Sequence, residues 1–483
     1  MNNKTAKVCL TAHNIYEKLN IHAKAVITAA TLFMTVLFVS LCFNNNVHTD
    51  EAFSMQLIQN DYAGVISGTM GSQHPPLYYL IAKTAALLFP TETYKLQVQK
   101  FVTIVPVTLT LLLGSFWVQK KTNKLLSSLL FGAALSFLIC TMEYAVQVRM
   151  YSWGLFFVTM CGLEAYDAYI SGKLRHWFWF GLFGVAAAYT HNYAFVSAVI
   201  ICGLLFLMIV FYKREHIRPW LITVILMFAA YLPWFFVLIS QFLGTATSDY
   251  WIPEITGETI LGYFTWAFGL DTAYSTVMIL LLFILGGVVG LIDLCRRKDE
   301  LGVFSILCWL VPTLTASAGV IVSLLTSPIY YNRYVYPAMG LLCIFFALSW
   351  SRVEDWYQLV LLLFCCVIGV ERYKEAIDLE YLSTNTDITM AYLEENLTED
   401  DIVVYNWSVY RLIYEYYVDG DQLVYIEDVD WDSLSGDIYF FYTYNCEQIS
   451  QSTLDTYGLI MEDMGEMGVE QNVFVMYHVY KAE

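Results

Sequence analysis

From about Ala25 to about residue 370 the sequence alternates long apolar runs with short polar breaks. The first run, Ala25 to Phe43, carries no charge and is long enough to cross a bilayer as a helix. Others lie near 75–90, 101–118, 125–142, 150–170, 177–190, 193–212, 219–241, 276–294, 302–325, 333–350 and 356–370. The 75–90 run is short, opens on Pro75-Pro76 and contains Lys83, which marks a juxtamembrane or re-entrant helix. Eleven spans remain. The residues ahead of the first run hold Lys4, Lys7, Lys18 and Lys24 against Glu17, which places the N-terminus in the cytoplasm. The run lacks a small-residue cleavage site, so it reads as an uncleaved span.

This threading puts Lys120-Lys121 with Lys124, Lys173 with Arg175, and Lys213-Arg214 with Arg218 on the cytoplasmic side. Arg296-Arg297-Lys298 and Arg352 fall there too. Segments 44–100, 143–149, the surroundings of His191, 242–275 and 326–332 then face outward, as does everything after residue 370. Three parts are expected: a cytoplasmic N-terminus (1–24), a transmembrane body (25–370) whose outer loop is 44–100, and an outer domain (371–483).

In the outer domain the pattern changes. Short strands are expected at 401–405, 422–426, 437–441 and 472–477, with helices at 408–418 and about 447–457. Strands alternating with helices predict a small α/β domain with a largely parallel sheet. It has no Gly-rich phosphate loop.

Composition agrees with a polytopic membrane protein: 58% of residues are hydrophobic and only 14% charged. The net charge of −18 is uneven. The last 113 residues hold 25 of the 43 acids and four of the 25 bases, net −21, leaving 18 acids and 21 bases before them. Neither part has the basic face that nucleic acid requires. Most of the 11 cysteines sit inside apolar runs, Cys365-Cys366 included, where helix packing explains them.

The outward segments collect the chemistry. Asp50-Glu51 directly follow the first span, and ionisable groups at a bilayer edge are costly unless used; the plainer alternative is a solvated acidic loop. Arg149 and Arg333 each begin a span, suiting either a snorkelling anchor or a phosphate clamp. His74 suits a phosphate contact or a helix cap, and His191 a phosphate or acceptor contact or an interhelical hydrogen bond. Tyr78, Tyr151 and Trp251 are candidates for stacking on a sugar. No His/Cys spacing suits a metal; Asp50, Glu51 and Glu254 could share a divalent ion, but nothing requires one, and no metal or cofactor is expected.

Six outward pieces occur in order: Thr49-Asp50-Glu51, His74-Pro75-Pro76-Leu77-Tyr78-Tyr79, Val148-Arg149-Met150-Tyr151, Tyr189-Thr190-His191-Asn192-Tyr193, Tyr231-Leu232-Pro233-Trp234 and Tyr330-Tyr331-Asn332-Arg333-Tyr334. Together they resemble glycosyltransferase family 39, membrane transferases of the GT-C class that include protein O-mannosyltransferases and are related to lipid A aminoarabinose transferases. The resemblance covers residues 25–370 and, more loosely, the tail. It implies a GT-C-like helical membrane body with an extracytoplasmic α/β domain. It also implies transfer of a sugar from a polyprenyl-phosphate donor to a hydroxyl acceptor on a protein, wall polymer or glycolipid. Asp50 resembles the family's base, Glu51, the less suited of the two as base, would orient Asp50 or the acceptor, and Arg149, Arg333, His74 and His191 would hold the donor phosphate. The competing reading is a flippase or transporter, which would tend to show internal repeats and charges at the bilayer midplane; no repeat is visible. Because the tail carries none of these pieces, it is expected to be separable from the chemistry.

Overall fold

The apolar runs fold largely as helix, and the polar breaks fall at helix ends or between helices. The computed structural model describes residues 20–43, 47–91, 93–245, 252–269, 273–297, 299–381, 384–444, 446–470 and 472–481. Trp251, Lys298 and all of the expected cytoplasmic N-terminus up to residue 19 lie outside the described residues. In chain order the helices are α1 (Ala23–Ser40), α2 (Thr49–Leu57), α3 (Tyr62–Gly71), α4 (Leu77–Leu88), α5 (Lys95–Thr122), α6 (Leu125–Ala133) and α7 (Thr141–Val146). There follow α8 (Tyr151–Ser171), α9 (Leu174–Thr190), α10 (Asn192–Tyr212), α11 (Ile217–Thr245), α12 (Gly257–Phe268) and α13 (Ala273–Arg297). The series closes with α14 (Glu300–Leu325), α15 (Met339–Trp350), α16 (Asp355–Tyr381), α17 (Thr384–Asn396), α18 (Arg411–Tyr417) and α19 (Gln451–Tyr457).

Among the described residues seven helical segments are long and apolar enough to cross a membrane, those of α1, α5, α10, α11, α13, α14 and the stretch Asn332–Trp350 that ends in α15. The other expected spans are helical too, but α6 and α9 are shorter, and α8 and α16 carry more polar residues. Chain contacts divide the molecule into two units, residues 1–42 with 60–376, and residues 43–59 with 377–483.

In the first unit the central helices are buried all round. All of α15 from Met339 to Ser349 is buried, and most of α8. They approach closely because of glycine: a Cβ on Gly162 would lie 2.7 Å from Leu341, and one on Gly340 would collide with Thr159. At the periphery α11 and α13 expose Leu221, Ile225, Phe228 and Phe236, and Leu281, Ile284 and Val288. Apolar faces of that extent need a non-aqueous surrounding.

One end of this unit is ionic. Lys121 pairs with Asp167, Lys124 with Asp355 (3.0 Å), Lys213 with Glu300 (3.0 Å) and Arg352 with Asp299 (2.9 Å). These residues close α5, α8, α10 and α15 and open α6, α14 and α16. Arg149, His191 and Arg333 precede α8, α10 and α15, so they belong to the opposite ends of the same helices. A 21-residue helix such as α8 separates the two ends by about 30 Å.

The second unit holds a five-stranded sheet in the order β2-β1-β3-β5-β4, with β1 Ile402–Tyr405, β2 Leu423–Tyr425, β3 Ile438–Tyr442, β4 Leu459–Val469 and β5 Asn472–Lys481. β1 runs parallel to β2 and β3, whereas β5 is antiparallel to β3 and β4. The sheet is therefore mixed, not largely parallel. β4 was unforeseen: its residues, Leu-Ile-Met-Glu-Asp-Met-Gly-Glu-Met-Gly-Val, lack alternation, being an exposed edge with an irregularity between Asp463 and Glu466. Period-two side chains on β3 serve two cores. Tyr439 and Phe441 pack with Ile413 and Tyr414 of α18 and Leu393 of α17, while Ile438 and Phe440 pack with Leu454 of α19.

Candidate active site

The loop before α4 and the start of α8 bring the first two candidates together. Arg149 is only 2% exposed, and its Nη1 donates to the hydroxyl of Tyr79 at 3.2 Å. Its Nη2 lies 2.9 Å from Nε2 of His74. A guanidinium can only donate, so His74 Nε2 accepts; this donor–acceptor geometry assigns its proton to Nδ1. The loop itself is held from two other helices. Gln241 of α11 shares its two amide N–H groups among the carbonyls of Thr69 (3.0 Å) and Met70 (3.2 Å), at the end of α3, and Ser72, and Asn192 of α10 donates to the carbonyl of Gln73 at 2.9 Å. Sequence reasoning overlooked Gln241, although a glutamine at the end of an apolar run was the available signal.

His191 stands between α9 and α10, where its Nδ1 accepts from the backbone N–H of Tyr193 at 3.1 Å and caps α10. Its proton is thereby placed on Nε2. Its ring stacks toward His74 (6.3 Å, 23°) and lies 5.5 Å from Tyr151 and 5.3 Å from Tyr334. Burial first, then the charges of Arg149 and Arg333, lower its pKa to about 3. Both arginines thus act electrostatically on one ring. Arg333, half-buried in the 3-10 helix Asn332–Ala338, also stacks over Tyr331 at 5.0 Å.

The depressed pKa has a sign. Between about pH 3 and 6.5 the unfolded chain binds a proton at His191 that the folded chain does not. The contribution to stability is therefore complete above that window and shrinks as pH falls through it. In detergent, His191→Gln should lose less melting temperature than the parent between about pH 7 and about pH 5. Equal losses would assign the acid limb to other groups.

A cavity of about 400 Å³ opens beside these histidines. His74 and His191 line it, and the remaining wall is mostly apolar, including Phe195 and Val196 of α10, Ile239 and Phe242 of α11 and Val322 of α14. It is a largely hydrophobic slot with imidazole groups on its wall.

Asp50 and Glu51 belong to the second unit, in the first turn of α2. Glu51 Oε2 accepts from the backbone N–H of His48 at 2.9 Å, and His48 Nδ1 accepts from that of Asp50 at 3.2 Å, a reciprocal cap. Glu51 is buried and Asp50 half-buried. Glu254, the third acid considered for a shared ion, is exposed. Among the described residues no group of three His, Cys, Asp or Glu side chains collects.

No protein-family model and no curated protein sequence matches the chain. Solved structures do. ArnT from Cupriavidus metallidurans bound to undecaprenyl phosphate matches with a TM-score of 0.54 and 13% identity, over 94% of this chain and 97% of that one. The same protein in the apo state gives 0.49 and 13%, over 97% and 98%. The oligosaccharyltransferase of Archaeoglobus fulgidus, in complex with Zn and sulfate, gives 0.49 and 11%, covering 82% of this chain but only 62% of its own. The likeness to the undecaprenyl-phosphate-bound structure establishes the fold: this chain has the GT-C architecture.

Proposed function

We propose that this protein is a membrane glycosyltransferase that moves a sugar from a polyprenyl-phosphate carrier to a hydroxyl acceptor. The observation that carries the reading is the apolar slot beside His74 and His191, with Arg149 bonded to one histidine and both arginines acting on the other. A polyprenyl phosphate has that polarity: a hydrocarbon chain for the slot and an anion for the guanidinium groups. The shared fold with a protein solved in complex with undecaprenyl phosphate supports the same ligand class.

In the reaction, the acceptor hydroxyl loses its proton to the Asp50 carboxylate as its oxygen forms a bond to the anomeric carbon. The bond from that carbon to the carrier phosphate breaks, and its electron pair departs on the phosphate. Arg149 and Arg333 stabilise the charge that grows there, with His191 donating from Nε2 and His74 orienting Arg149. Glu51 maintains the turn that presents Asp50. The acceptor is a protein hydroxyl, a wall polymer or a glycolipid. Incubating purified protein with a polyprenyl-phosphate sugar and candidate acceptors tests the reading. A new glycosidic product is expected, and lipid movement without product would make the protein a flippase.

The arginine-bearing helix ends and the acidic unit are proposed to be extracytoplasmic, as in the eleven-span threading. Cysteines placed near Thr93 and residue 450 should then label from outside, and cysteines near Lys121 and Arg297 only after permeabilisation. A tail labelled only from inside would reverse the orientation.

A further inference from the structure

Helix α2 has nine residues, and isolated helices shorter than about 12–15 residues are marginal in water. Something beyond its own backbone must keep it wound and aimed, and the second unit supplies it. The side chain of Glu470, in the turn between β4 and β5, accepts from the backbone N–H of Val47 at 2.6 Å and from the hydroxyl of Tyr417 at 2.5 Å. At the other end of α2, Gln56 donates to Glu415 of α18 at 2.7 Å. Between these ties α2 packs on α18, and Glu51, Ala52, Ser54, Met55 and Leu57 of α2 are buried.

Glu470 is the unusual member. Its backbone has φ +55°, a left-handed conformation in which glycine or asparagine is the ordinary choice. A glutamate there costs conformational energy that its side chain must offset, and strain of this kind points to use. The use visible in the structure is the tie to Val47, three residues ahead of Asp50.

We propose that Glu470, with Tyr417, is a positioning residue for the Asp50 carboxylate: the outer domain holds the base-bearing helix in place. This rests on the reading of Asp50 as the base. The hydrogen bonds named above lie within residues 43–59 and 377–483.

The test is Glu470→Gly in the full-length protein, with Glu470→Gln and Tyr417→Phe beside it. Glycine suits φ +55°, so the fold should survive while the acceptor is lost. Hydrogen–deuterium exchange across 49–57 should quicken, kcat should fall about tenfold to a hundredfold, and donor KM should stay within about twofold. Glu470→Gln keeps an acceptor oxygen and should restore most of kcat. Tyr417→Phe should shift kcat the same way by a smaller factor. Unchanged exchange and kcat in Glu470→Gly would overturn the proposal, as would a rise in KM matching the fall in kcat, or a loss that Glu470→Gln does not relieve. Full turnover in Asp50→Asn is a separate failure: it would remove the base itself, and the latch with it.

Discussion

Asp50→Asn is expected to slow sugar transfer by at least about a hundredfold while donor lipid still binds. The substitution keeps the size and shape of the side chain at the second position of α2 but removes the charge that accepts a proton. His48 still receives the backbone N–H of residue 50, and Glu51 still closes the cap, so the helix start is preserved. The donor slot belongs to other residues and is untouched. Donor binding measured beside single-turnover chemistry separates the two effects. Unchanged turnover would remove Asp50 as the base.

Arg149→Ala and Arg333→Ala should behave differently, weakening donor binding as well as rate. On the proposed roles, each would remove a charge-assisted contact to phosphate worth about 1.5–3 kcal/mol, or roughly tenfold to a hundredfold in affinity. The larger effect is expected at Arg149, because it is almost fully buried and also anchors Tyr79 and His74. Losing it removes the donor to His74 Nε2 and leaves a buried gap, whereas Arg333 is half-buried and stacks on a partly exposed tyrosine. Equilibrium binding of a polyprenyl phosphate to each variant checks this. Parent-like binding in both would take the arginines out of the donor site.

The helices were legible because apolar runs of near-span length carry their own signal, and so were the arginines, which stood out as charges at the edges of those runs. That the charges of both Arg149 and Arg333 lower the pKa of His191 needed the fold. The support of the His74 loop was not legible: Gln241 reaches carbonyls about 170 positions away, and backbone acceptors leave no mark in a sequence. β4 escaped because an acidic, glycine-bearing edge strand has neither alternation nor β-branched bulk. The least foreseeable feature was the packing of residues 43–59 with the tail, through hydrogen bonds that join positions 359 and 423 apart in the chain. Sequence alone made the tail look separable from the chemistry. With α2 tied to Glu415 and Glu470, removing the tail would also release the helix that carries Asp50.

His74 and His191 are each pinned by a donor at one ring nitrogen, Arg149 in the first case and the Tyr193 N–H in the second, so as neutral rings they add no positive charge beside Arg149 and Arg333. A carrier-linked sugar is a diester with about one negative charge, whereas the spent carrier is a monoester approaching two above its second ionisation, at about pH 6. On the proposed reaction the site therefore grips what it has made more firmly than what it was given. Departure of the empty carrier should therefore slow as the medium becomes more alkaline.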